Sequence, residues 1–146
     1  MLTNLRRLAE VSPGEWLLLA QLVVFSLAVR VSLRLVPLPR LAGFFARCAE
    51  NRRLRRLPLL HGRYAGARLA VLADVAARVT HGQGRCLARS LLLFWLLRAQ
   101  EEPADLLIGI SKEAAGLQGH AWIEMQGRVM GDSPEVPARF ATLLRF

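Results

Sequence analysis

Apolar positions change texture along the chain. From Trp16 to Val29 they form a run of fourteen residues, interrupted by Gln21 and Ser26 and followed by Arg30 and Arg34. Ser12-Pro13-Gly14-Glu15 stands before it. A serine N-cap, a proline at the first helical position and a glutamate three residues on mark a helix start. The helix is expected to reach about Val36 and stop at Pro37-Leu38-Pro39, because proline denies its predecessor the helical region. A shorter helix over roughly Arg40–Glu50 follows. His61 to Gly66 reads as a loop. Leu69, Leu72, Val75, Ala76 and Val79 then recur at helical spacing and predict a helix over Ala67–Val79.

After Thr80 the pattern alters. His81-Gly82-Gln83-Gly84-Arg85 is a glycine-rich turn that opens onto Cys86 and the seven-residue apolar run Leu91 to Leu97. That run does not alternate as a half-exposed strand does, so it predicts a helix buried on most sides, ending near Glu101-Glu102-Pro103. Asp105 to Ser111 reads as a core strand, residues 112–119 as a loop, and His120–Met125 with Arg128–Asp132 as two strands around Gln126-Gly127. Helices first and a small antiparallel sheet afterwards define an α+β domain, not an alternating βαβ one. The expected organisation is a helical, arginine-rich region over 1–80 and a core over 81–146, packed as one unit.

Composition and charge narrow the function classes. The chain has 146 residues with 53% hydrophobic positions and a mean hydropathy of +0.31. This excludes disorder and favours a large core or a membrane contact. Cys48 and Cys86 are the two cysteines, which excludes a disulfide framework. No CxxC pair exists to suggest zinc. The net charge of +9 lies in the first half. Residues 1–80 carry thirteen arginines against Glu10, Glu15, Glu50 and Asp74, whereas residues 81–146 balance six arginines and Lys112 against seven acids. The Trp16–Val29 run falls short of the about 20 apolar residues of a spanning helix. No small-residue cleavage site follows it, so the cytoplasm is the expected compartment. Arg52, Arg53, Arg55 and Arg56 form a basic cluster. It reads as a solvated face, as a surface for an acidic partner or peptide, or as a peripheral contact with anionic lipid beside the oily helix. No nucleic-acid motif accompanies it, so nucleic acid is not expected as a partner.

The candidate chemistry begins at Cys86. A thiol in the first turn of a helix meets unpaired N–H groups and the positive end of the dipole, and both favour the anion. A nucleophilic cysteine also needs a base, and the base needs an orienting partner. His120 begins a strand after Gly119, and Asp132 lies twelve residues later. A three-residue loop Met125-Gln126-Gly127 would oppose Glu124 to Arg128, Trp122 to Met130 and His120 to Asp132, with Cβ atoms about 4.5–5.5 Å apart. A two-residue loop would oppose Asp132 to Ala121 and turn His120 to the other face. Individually, each residue also has a plain structural reading: a buried thiol, a core histidine, a turn aspartate. Cys48 reads as a structural thiol, His61 and His81 as solvent-facing or helix-end residues, and Trp95 and Trp122 as core. Cys86, His120 and Asp132 lack a fourth ligand for a structural zinc, so no metal and no cofactor is expected.

Cys86-Leu87-Ala88-Arg89-Ser90-Leu91-Leu92-Leu93, Gly119-His120-Ala121-Trp122-Ile123-Glu124, Gly127-Arg128-Val129 and Asp132 together resemble the transglutaminase-like cysteine proteases that remove leader peptides in lasso-peptide biosynthesis. The resemblance is clear over residues 81–132 and weaker over 1–80. It implies a papain/transglutaminase-like core, with Cys86 as nucleophile, His120 as general base and acid, and Asp132 as orienting acid. By analogy with the glutamine preceding the nucleophile in papain-like enzymes, Gln83 is a second oxyanion donor beside the Cys86 N–H. The implied partners are a precursor peptide, a small leader-recognition protein and an ATP-dependent macrolactam cyclase. Two other readings stay open: a non-enzymatic membrane-surface or scaffold component, and a transamidating relative with the same triad.

Overall fold

The structure, a computed structural model, describes residues 12–51, 63–82, 84–113 and 116–146. Helix α1 (Pro13–Leu35) opens with the expected capping box. Ser12 Oγ accepts from the Glu15 N–H at 3.3 Å, and Glu15 Oε2 accepts from the Ser12 N–H at 2.8 Å. Val36, ahead of Pro37, is extended and ends the helix. Glu15 Oε1 also accepts from Arg68 Nε at 2.5 Å, so the capping acid ties α1 to α3. The Arg68 guanidinium first, and then the Ser12 N–H, pull its carboxyl down to about 2 against the opposing effect of burial.

Helix α1 extends beyond the Trp16–Val29 apolar run on both sides, as its capping signals predict. It spans 23 residues and holds an 18-residue window of mean hydropathy 2.0, so it is long and apolar enough to cross a membrane by length and composition. Its end at Leu35, ahead of Val36 and Pro37, is where the proline signal placed it, and Gln21 and Ser26 lie within it. One face, with Leu18, Leu22 and Val29, is buried in the core. The other exposes Trp16, Leu17, Val24, Leu27, Val31 and Leu35.

Helix α2 (Leu38–Glu50) buries Leu41, Ala42, Phe45 and Cys48 along one side. Helix α3 (Gly66–Thr80) buries small side chains, Ala70, Ala73, Ala76 and Ala77, which lets helix α4 (Arg85–Ala99) pack closely against it. Helix α4 is the centre of the molecule. Leu91, Leu92, Leu93, Phe94, Leu96 and Leu97 are essentially free of solvent, as its unalternating apolar run predicts. It packs against α1, α2 and α3 and against the sheet. Ser90 Oγ donates to the Ala121 carbonyl at 2.8 Å and pins the helix to a strand.

The sheet contains β1 (Ala104–Glu113), β2 (Gly116–Met125), β3 (Arg128–Met130) and β4 (Ala141–Arg145), in the order β3-β2-β1-β4. The described pairings are antiparallel, and Gly109 on β1 stands opposite His120 on β2. Residues 112–119, expected as a loop, are largely strand: β1 and β2 extend to Glu113 and from Gly116. Exposed positions such as Gly116 and Leu117 carry little apolar alternation, but continuing the β1–β2 ladder satisfies their backbone groups. Strand β4 and the short helix α5 (Val136–Arg139) had no counterpart in the pattern reading. Helix α5 ends at Phe140, which with Leu107, Trp122 and Val136 forms a second core on the sheet face away from α4.

Candidate active site

Cys86 lies in the first turn of α4, after Gly84, which serves as N-cap in the left-handed conformation with φ 74° and carries no capping side chain. The first-turn N–H groups are therefore free of a side-chain cap among the described residues. Cys86 is partly exposed and its thiol is free. Across from it, His120 and Cys86 line one cavity of about 240 Å³, with Leu38, Leu87 and Ile108 among its walls.

His120 is held on three sides. Its ring lies near-parallel to Phe140, with centroids 5.0 Å apart, and to Trp122, at 6.4 Å. Its Nε2 donates to Asp132 Oδ2 at 2.8 Å. Among the described residues Nδ1 has no hydrogen-bond partner, which leaves it as the ring nitrogen available to a thiol. Trp122 is in turn fixed by its Nε1 donating to Glu124 Oε1 at 3.1 Å, and Arg145 Nη2 donates to the other oxygen of Glu124 at 3.1 Å.

The contact between His120 and Asp132 arises by a different route from the one the hairpin count gave. The observed register pairs Met125 with Arg128, Glu124 with Val129 and Ile123 with Met130. The loop is the two-residue Gln126-Gly127, with φ 51° and 74°, a primed turn suited to the strand twist. The expected pairings of Glu124 with Arg128, Trp122 with Met130 and His120 with Asp132 are thus corrected. Burial chooses the register: Met130 joins Ile123 and Met125 against the α4 core, while Val129 packs on the Trp122 side. Asp132 reaches His120 because β3 ends at Met130 and Gly131, at φ 71°, turns the chain. A Cβ on Gly131 would stand 2.8 Å from the Ala70 Cβ, so a side chain at this corner is excluded by space as well as by conformation.

Asp132 accepts from three donors. Oδ2 receives His120 Nε2 and Arg89 Nη2, and Oδ1 receives the Ser133 N–H at 2.8 Å. Burial works to raise its carboxyl, but the His120 hydrogen bond, the Ser133 N–H and the Arg89 charge together hold it below the usual carboxylate range. The Arg89–Asp132 pair was missed at the sequence level. Its signal was the spacing: Arg89 lies three residues after Cys86 and so shares its helix face.

Other candidates fall elsewhere. Gln83 and Arg52, Arg53, Arg55 and Arg56, like His61, lie outside the described residues. Cys48 is buried within α2, and burial pushes its thiol up. A second cavity of about 240 Å³ beside it is lined by Phe25, Phe44, Phe45 and Trp95 and offers no base. His81 caps the end of α3; it is half-buried, with Nδ1 2.8 Å from Thr80 Oγ1. Burial and the Arg30 charge lower its pKa. Trp122 is fully buried, and Trp95 packs edge-on to Phe25 and Phe45.

Chemically, the arrangement offers a thiol at a helix N-terminus, an imidazole on the same cavity with one nitrogen unbonded among the described residues, and a carboxylate that fixes the other nitrogen. No curated protein and no solved structure matches the chain. The family model described as the transglutaminase-like superfamily matches residues 24–145, from within α1 to the end of β4, and the chain belongs to that superfamily.

Proposed function

We propose that this protein is a cysteine peptidase that removes the leader from a lasso-peptide precursor. The observation that carries the catalytic part is the fixed His120 ring: Nε2 is bound to Asp132, and the ring borders the cavity that Cys86 also lines. The substrate assignment rests on the resemblance of the Cys86–Leu93 and Gly119–Glu124 stretches to leader peptidases.

In this reading His120 Nδ1 takes the proton from Cys86, and the helix N-terminus favours the resulting negative sulfur. Sulfur attacks the scissile carbonyl carbon, and the oxyanion accepts from the Cys86 N–H. The tetrahedral intermediate collapses, His120 gives its proton to the departing amine, and a thioester remains. A water then gives a proton to Nδ1, attacks the thioester and releases the leader carboxylate and the thiol. Asp132 holds the imidazole in the required tautomer and offsets the imidazolium charge. The freed core N-terminus passes to an ATP-dependent cyclase in the cytoplasm. The exposed face of α1 favours docking of the leader-recognition protein, because a large apolar patch usually marks an interface. The same face also suits a membrane-surface role.

Cleavage of the precursor, with the recognition protein present, tests the assignment by mass spectrometry. Cys86→Ala and His120→Ala should each lower turnover on the order of 10⁶-fold, and Asp132→Ala on the order of 10⁴-fold. Full processing by Cys86→Ala would overturn the enzyme reading. A product carrying an amine in place of water would assign transamidation.

A further inference from the structure

We propose that the cavity beside Cys86 is a side-chain subsite for an apolar residue on the acyl side of the scissile bond, with Leu38 of the helical half as its specificity-determining wall. This rests on the peptidase reading.

The walls come from three places. Leu87 follows the nucleophile on α4, Ile108 and Ala121 are cross-strand partners on β1 and β2, and Leu38 opens α2 just after the Pro37 corner. Among the described residues no Asp, Glu, Lys or Arg borders the cavity. A carboxylate or ammonium entering it would lose water and, among the described residues, meet only Cys86 and His120 as polar side chains, both engaged in the reaction, whereas an aliphatic side chain would lose only unfavourable hydration. Its volume of about 240 Å³ lies below the roughly 300–1,000 Å³ of cofactor and drug-sized pockets. That size suits one side chain. The acyl residue is the natural occupant, because it becomes bonded to Sγ in the first half-reaction and stays bonded until water releases it in the second, beside the helix turn that forms the wall. The helical half would thereby take part in substrate selection at the reacting bond itself.

Peptidyl chloromethyl ketones test this without knowledge of the precursor. The thiolate displaces chloride, leaving a thioether on Cys86, and the residue next to the electrophile is varied among Leu, Val, Gly, Asp and Lys. Second-order labelling rates of the full chain are read by intact mass. Leu and Val should exceed Gly by about tenfold or more, and Asp and Lys by about 100-fold. In Leu38→Ala the Leu-to-Gly rate ratio should fall several-fold. Equal rates for all five probes would overturn the subsite and leave the peptidase reading standing. Failure of Cys86 to react with any probe faster than a free thiol would overturn both. If Leu38→Ala does not fold, Leu38→Val carries the same test, and a Leu-to-Gly ratio unchanged from wild type in the folded variant would overturn Leu38 as the wall.

Discussion

Arg89, one turn along α4 from Cys86, donates to Oδ2 of Asp132, the same oxygen that accepts from His120. Both side chains are largely buried, at 16% and 17% exposure. The helix that carries Cys86 therefore also holds the carboxylate that binds His120. Across the neighbouring cavity, Asp74 and Arg78 of α3 pair with each other at 2.6 Å and do not compete for this carboxylate.

Arg89→Gln should move the acid limb of the kcat/KM profile to higher pH. The Asp132 carboxyl lies below its ordinary value, partly through the Arg89 charge. Without that charge it takes up a proton at higher pH and then no longer accepts from His120 as an anion. Arg89→Lys should restore part of the shift. An acid limb that stays in place in Arg89→Gln would show that Arg89 does not act on the carboxylate.

Gly109→Ala should destabilise the protein by about 1–3 kcal/mol. A Cβ there would stand 2.7 Å from the Ala141 carbonyl oxygen and 2.9 Å from the Trp122 ring. Because Trp122 supports the His120 ring, kcat should fall along with stability. Denaturant unfolding and steady-state kinetics measure the two effects separately.

Glu15 predicts an acid-dependent loss of stability. Its folded carboxyl is held at about 2, against 4.5 unperturbed. A depressed acid stabilises fully above its unfolded value and loses that contribution as pH falls from 4.5 toward about 2. In Glu15→Gln the pH dependence over that window should flatten, and stability near neutrality should drop. Denaturation midpoints across the acid range read both.

The α1 face predicts partner dependence. Val24 and Leu27 are 64% and 47% exposed, so Val24→Glu with Leu27→Glu should leave unfolding within about 0.5 kcal/mol per substitution. The same pair should remove most of the acceleration by the leader-recognition protein. Robust cleavage by the isolated wild type, or an unchanged response in the double variant, would show that this face does not dock the partner.

Much of the fold was legible locally. Ser12 and Glu15 start α1 and Pro37 ends it, because capping and proline sterics act within a turn of the chain. The apolar run after Cys86 predicts a buried helix, and a glycine-rich turn places the thiol in its first turn. Residues 141–145 were missed because a strand exposed at most positions has no strong alternation; its ladder to β1 makes it a strand.

The three residue types of the site could thus be named from sequence, but their geometry could not. Two loops of nearly equal local merit fit Met125-Gln126-Gly127-Arg128, and they differ by a reversal of every side chain beyond. The choice falls to Met130, which gains the α4 core only in the two-residue register. That register alone would place Asp132 opposite Ala121. The Gly131 corner, packed against Ala70 of α3, instead carries Asp132 back to His120 and into reach of Arg89. Capping and periodicity are set by neighbours in the chain, whereas the His120–Asp132–Arg89 contacts depend on burial shared among α3, α4 and β3, which no single segment encodes.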